Sequence, residues 1–270
     1  MKLIPLLFLM LLSSCSKVDT AMKFADWLIV KETDSYFDLT DEQNKDLKQE
    51  IQKDLARIKK DNFPKIAEFL RKVAGQVEAN KFTLENLNLW HTEGQKTIKD
   101  VLNQFQPTAL EFALKASQQQ IEHFKFKYQK ETDKRKKEIE TDDDKFKFHR
   151  KRFEKWTDEW VGGLSADQRK LLNDDIKAYP FPWDLQIRSR GVSVAKFLEA
   201  RSSKISLKAY MDKMTDDRDP EYETALKAYQ VHVKGFILEL YKVLTKEQKA
   251  HFIKKLRDRA QEFETLSREP

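Results

Sequence analysis

The chain has 270 residues, 36% of them charged, and a single cysteine, Cys15. One cysteine excludes an internal disulfide framework, so stability has to come from packing, and a chain of this length buries about 70–75% of the surface its unfolded form exposes. The 51 Lys and Arg against 45 Asp and Glu leave a formal charge of +6, a mild basicity that is only weak evidence for a nucleic-acid partner, and none is expected.

The chain opens with Lys2, an apolar run from Leu3 to Leu12, and then Ser13-Ser14-Cys15. These are the charged, apolar and small-residue regions of a secretory signal. The apolar run is too short to span a bilayer, which takes about 20 residues. Leu12-Ser13-Ser14-Cys15 reads as a bacterial lipobox, so cleavage is expected before Cys15 with a diacylglycerol on its thiol. The expected organisation is residues 1–14 as cleaved signal, 15–20 as lipidated N-terminus and short tether, and 21–270 as a helical domain. The three acyl chains of such an anchor attach stably where one is marginal.

Six glycines and seven prolines, with long stretches of 3.6-residue period, predict an all-α protein. A first helix is expected over Val18 to about Ser35. Thr40 and Gln43 form a capping box behind Leu39, and Leu47, Ile51, Leu55 and Ile58 make one apolar stripe. Pro64 opens a third helix with Ile66, Phe69, Leu70, Val73 and Val77 on its stripe. Thr83 caps a fourth, through Leu87, Trp90 and Val101 to Phe105. Pro107 is expected to start a long fifth helix towards Ile139, and Asp142 to Asp144 a sixth ending at Gly162-Gly163. Ser165 and Gln168 cap a seventh. Tyr179-Pro180-Phe181-Pro182-Trp183 is the main non-helical connection, and the point where two lobes would meet. Further helices run to Arg201, over Leu207 to Met214, over Tyr222 to Val243, and from Thr245 to about Leu266. The expected architecture is an elongated multi-helix bundle of about ten helices, with the fifth and sixth paired as a long hairpin.

One signature recurs, as Leu39-Thr40-Asp41-Glu42-Gln43, Leu164-Ser165-Ala166-Asp167-Gln168 and Leu244-Thr245-Lys246-Glu247-Gln248. The separations are too unequal for a solenoid, and a sharp helix start accounts for each copy: staple leucine, hydroxyl cap, reciprocal amide. Similar Leu-Thr-x-x-Gln segments occur in small periplasmic helical chaperones, all shorter than this chain.

Catalytic motifs are missing. His91, His123, His149, His232 and His251 fall on five separate helices, none at zinc-motif spacing. Asp142-Asp143-Asp144 lacks the alternation and glycine of a calcium loop and suits a helix start. There is no phosphate-cradling glycine loop and no nucleophile elbow. No enzyme activity, metal or cofactor is expected.

Two segments stand out. Between Lys125 and Trp156 aromatics alternate with cations, with 13 Lys and Arg against 8 Asp and Glu. Lys125, Lys127, Lys130, Lys145, Lys147, Arg150, Lys151 and Arg152 form a candidate patch for an anionic envelope polymer, lipid headgroups or an acidic partner protein. Lysine stems snorkelling around buried rings would give the same pattern. The second segment carries Trp183, Arg188 and Arg190 after the double-proline turn, and suits a binding rim or a packed corner.

Ala25-Asp26-Trp27-Leu28, Tyr36-Phe37-Asp38-Leu39-Thr40-Asp41-Glu42-Gln43 and Phe63-Pro64-Lys65-Ile66-Ala67 follow directly on the lipobox. With Arg150-Lys151-Arg152, Trp160-Val161-Gly162, Trp183 and Arg188, they resemble an uncharacterised family of all-helical bacterial lipoproteins. The resemblance implies an envelope location and a helical fold, and implies no reaction. The expected protein is an outer-membrane-anchored periplasmic lipoprotein that binds or scaffolds envelope components, attached to the membrane through lipid on Cys15. A holdase-like chaperone is the alternative and an envelope enzyme comes after it. Oligomeric state is not fixed by the sequence.

Overall fold

The computed structural model describes residues 17–269, so the expected signal and Cys15 lie outside the described residues. Twelve helices and no strand occur among them, in the order α1 Lys17–Lys23, α2 Ala25–Phe37, α3 Asp41–Asp61, α4 Phe63–Glu78, α5 Leu84–Lys115, α6 Gln118–Glu138, α7 Asp142–Val161, α8 Ala166–Ala178, α9 Trp183–Ala200, α10 Lys204–Lys213, α11 Pro220–Val243 and α12 Lys246–Ser267. The protein is all-α. Residues 17–20, expected within a tether, are already helical, and Val18 is fully buried.

The main core forms where α4 lies against α12. Phe63, Ile66, Leu70, Val73 and Val77 are buried on α4, and Leu256, Ala260, Phe263 and Leu266 on α12. Such i, i+3, i+4, i+7 spacing puts one stripe of each helix into the seam. Phe63 meets Phe263 edge-on at 4.9 Å. The α3 stripe Leu47, Ile51, Leu55 and Ile58 is buried in the same core as the periodicity predicts. A smaller core gathers Val161, Leu164, Leu172, Ile176, Phe236, Leu240 and Leu244 from α7, α8 and α11 and the loops that follow α7 and α11. Tyr241 and Phe252 pack against both.

Two expected boundaries move. The first expected helix is interrupted at Phe24, between α1 and α2. Pro107 does not start a helix but lies inside the 32-residue α5. The break falls instead at Ala116-Ser117, where Ser117 and Gln120 make a capping box for α6. Arg201 holds that break from outside: its Nε donates to the Ala113 carbonyl at 2.9 Å and its Nη2 to the Ala116 carbonyl at 2.6 Å. These are carbonyls that a helix end leaves without intrahelical partners.

The recurrent signature has a tertiary use. The capping glutamines of α3 and α6 face each other, Gln120 Nε2 donating to Gln43 Oε1 at 2.7 Å. Those of α8 and α12 do the same, Gln168 and Gln248 exchanging amide bonds at 2.9 Å in both directions. In the second pair each amide also reaches a carbonyl near its partner's helix start: Gln168 Nε2 to Val243 O at 2.8 Å and Gln248 Nε2 to Gly163 O at 2.7 Å. Four helix starts are thus tied two by two, across 77 and 80 residues.

The hairpin of α6 and α7 closes near its turn, where the Arg135 guanidinium lies 4.5 Å from the Phe148 ring centre. Beyond the turn the two helices take different neighbours. Phe124 of α6 stacks on Phe37 of α2 at 5.0 Å, whereas α7 packs on α8 and α12.

Candidate functional site

The two segments singled out in the sequence meet at Trp183. α7 is started by a capping box of Thr141 and Asp144, with Asp142, Asp143 and Asp144 in its first turn, where carboxylates favour the dipole. It carries Phe148, His149, Arg152 and Phe153 on one face, at i, i+1, i+4 and i+5. The Pro180-Phe181-Pro182 turn brings Trp183, the first residue of α9, against that face. Trp183 is 6% exposed, edge-on to Phe148 at 5.0 Å and 4.4 Å from Phe181 between ring centres. The Arg152 guanidinium is 4.8 Å from the Phe148 ring and 5.7 Å from Trp183, distances at which a cation is attracted to a ring face. Lys145 Nζ ties the same corner from outside, 2.8 Å from Asp184.

At the centre sits His149, 6% exposed, its Nε2 2.8 Å from the Tyr229 hydroxyl. Phe153 and Phe181 lie 5.1 and 6.1 Å from it. Burial, helped by the Arg152 charge, pushes the imidazole down to about 4, and burial pushes the Tyr229 phenol up. His149 is therefore neutral at pH 7, and its buried Nδ1 has no hydrogen-bond partner. Nearby, His232 Nε2 is 2.8 Å from Asp175 Oδ1 with the Tyr179 ring stacked on it at 3.6 Å. Burial raises the Asp175 carboxyl, against the pull of His232. An enclosed neutral imidazole held by a phenol packs a junction; it is a poor general base, which works best with a pKa near the operating pH. Among the described residues, no group of three or more His, Cys, Asp and Glu could hold a metal ion.

The candidate cations are placed one by one. Lys125 pairs with Glu122 at 2.9 Å, Lys127 with Glu131 at 3.9 Å, Lys147 with Asp143 at 2.5 Å and Arg150 with Glu154 at 3.7 Å. All four are neighbours on their own helix turn, so these cations are individually paired, while the segment's excess of cations over acids remains. Lys130 and Lys151 are exposed and make no ion pair among the described residues. Trp183 is packed, not presented, as in the second of the two readings of its segment: the double-proline turn folds its ring inward onto α7. Arg188 is exposed and spans Asp219 at 2.8 Å and Glu221 at 2.5 Å, holding α9 to the start of α11. Arg190 is half-buried. His149 and Tyr229 are the central pair that sequence reasoning passed over. The lone histidine inside the aromatic run was a signal, while Tyr229, 80 residues away, had none.

Fold and site together define an all-helical protein whose aromatic-basic segment is organised round a packed aromatic junction. The chain belongs to a family of unknown function (DUF6279), whose family model matches residues 35–222, a span that contains α7, the double-proline turn and α9. No curated protein and no solved structure matches it.

Proposed function

We propose that this protein is a lipoprotein, held by lipid on Cys15 at the periplasmic face of the outer membrane, where it binds or scaffolds components of the cell envelope. The observation that carries the anchoring is the lipobox Leu12-Ser13-Ser14-Cys15, followed almost at once by folded chain. α1 begins at Lys17 and Val18 is fully buried, so an anchor on Cys15 would hold the folded body directly rather than through a linker. Ser16 beside the cysteine, in place of an aspartate, favours the outer membrane under enteric sorting rules. Among the described residues no helix is long and apolar enough to cross a membrane, so attachment by them would be at the surface.

Binding is favoured over chemistry because the candidate segment supports packing and charge display. The Leu-Thr-x-x-Gln segments, which lent the chaperone alternative its likeness, serve here as paired helix junctions, a structural use that accounts for them without a client protein. The partner class is an acidic protein or anionic envelope polymer, met by Lys130 and Lys151 with the paired cations around them. In-cell crosslinking with identification of partners tests this. Lys130→Glu with Lys151→Glu is expected to lower the yield of an acidic partner and flatten its salt dependence. Unchanged yield and slope would assign these lysines to solvated helix surface.

A further inference from the structure

We infer that one face of α1 and α2, centred on Phe24 and Trp27, lies in the headgroup layer of the membrane that bears the anchor. The inference rests on the lipid on Cys15 proposed above. Phe24 and Trp27 are 56% and 49% exposed, although their helices are otherwise well seated, with Met22, Ala25 and Val30 buried beside them. Phe24 is the N-cap of α2, and Trp27 and Lys31 follow three and seven positions on, along one face of that helix. The Lys31 ammonium lies 4.5 Å from the Trp27 ring centre. An aromatic with an apolar body and a polar edge, beside a lysine whose stem can snorkel, is the side-chain chemistry of a membrane–water interface.

The chain length to the anchor identifies the occupant. Only Ser16 lies between Cys15 and Lys17, two chain steps or at most about 7 Å, and the ten residues on to Trp27, helical except at Phe24, add about 15 Å. Trp27 is therefore within roughly 22 Å of the cysteine whose acyl chains enter the bilayer. α1 is fixed to the body through Val18 and Met22, so it cannot swing away on a free tether. The charges beside the face are already matched: Lys23 with Asp19 at 2.6 Å, and Asp26 with Gln52 at 2.7 Å and Lys48 at 3.9 Å. Contact is accordingly apolar and aromatic, and weakly dependent on salt or on lipid charge.

The test uses the lipidated chain in phosphatidylethanolamine–phosphatidylglycerol vesicles with brominated acyl chains, comparing tryptophan fluorescence of wild type and Trp27→Phe. Trp90, Trp160 and Trp183 are buried and Trp156 is partly buried, which leaves Trp27 as the most exposed fluorophore, and the Trp27→Phe comparison isolates its signal. Brominated lipid is expected to quench wild type, with that quenching reduced about twofold or more in Trp27→Phe, and acrylamide access to fall about twofold on reconstitution. A chain that floats with the vesicles while Trp27 stays as open to acrylamide as before overturns this face and leaves the anchor standing. Shielding from acrylamide without quenching by brominated lipid overturns it too, assigning the face to a protein partner or a second copy. A chain that does not float overturns the anchor and this inference with it.

Discussion

His149 and Arg259 show how single residues set the stability of this protein. The His149 imidazole is held at about 4, against an ordinary 6.5. Between those values the unfolded chain takes up a proton that the folded chain refuses. The contribution is complete above pH 6.5 and is lost as pH falls towards 4, about 3 kcal/mol in all. Chemical denaturation at a series of pH values is expected to show this acid limb in wild type and its loss in His149→Phe/Tyr229→Phe, which removes the titrating group and its partner together. Arg259, 1% exposed, joins Glu159 at 2.8 Å and Glu262 at 2.5 Å. Arg259→Met removes the closest cation from the largely buried Glu159, which keeps Lys255 at 3.8 Å, and is expected to cost about 3 kcal/mol, the low end for a broken buried pair. Lys130→Glu and Lys151→Glu, on the surface, should each stay within about 0.5 kcal/mol. Measured midpoints in urea check all three. His149 sits among aromatics of its own helix, a local signal, but Arg259 does not stand out as buried, because its partner Glu159 lies 100 residues away.

The helices themselves were largely legible, because periodicity and caps are local. Thr40, Ser165 and Thr245 cap as their neighbours dictate, and the α3 stripe faces the core as its spacing requires. Pro107 misled for a physical reason. Proline fits a first helical turn, but a long helix tolerates one inside it where packing holds both sides, and the true break at Ala116 is held by Arg201 from α9's C-terminal end. The glutamine pairs were legible as caps and illegible as pairs, since reciprocity needs the partner helix. Gln168→Ala leaves the Val243 carbonyl and one face of the Gln248 amide unpaired, and is expected to cost about 1–3 kcal/mol. Gln168→Ala and Gln248→Ala combined should destabilise by less than the sum of the two, with a coupling of at least about 0.5 kcal/mol. Strict additivity would mean that the two boxes act independently.

At the scale of the whole molecule, two cores are joined by Tyr241 and Phe252: the larger seats α1 and α2 through Val18, Met22 and Ala25, and the smaller meets the Trp183 junction through Phe153 and Phe236. The meeting of the basic-aromatic segment with Trp183 could not be read from sequence, because the 26 residues between Trp156 and Trp183, including all of α8, have to fold back first. The proposed function depends above all on Cys15. The direct measurement is mass spectrometry of the N-terminal peptide of the protein recovered from membranes of its native host, with and without globomycin. The account predicts an N-terminus at Cys15 carrying diacylglycerol and an amide-linked acyl chain, and an uncleaved precursor beginning at Met1 when signal peptidase II is inhibited. An unmodified Cys15, or a cleavage site elsewhere that globomycin does not affect, would contradict it.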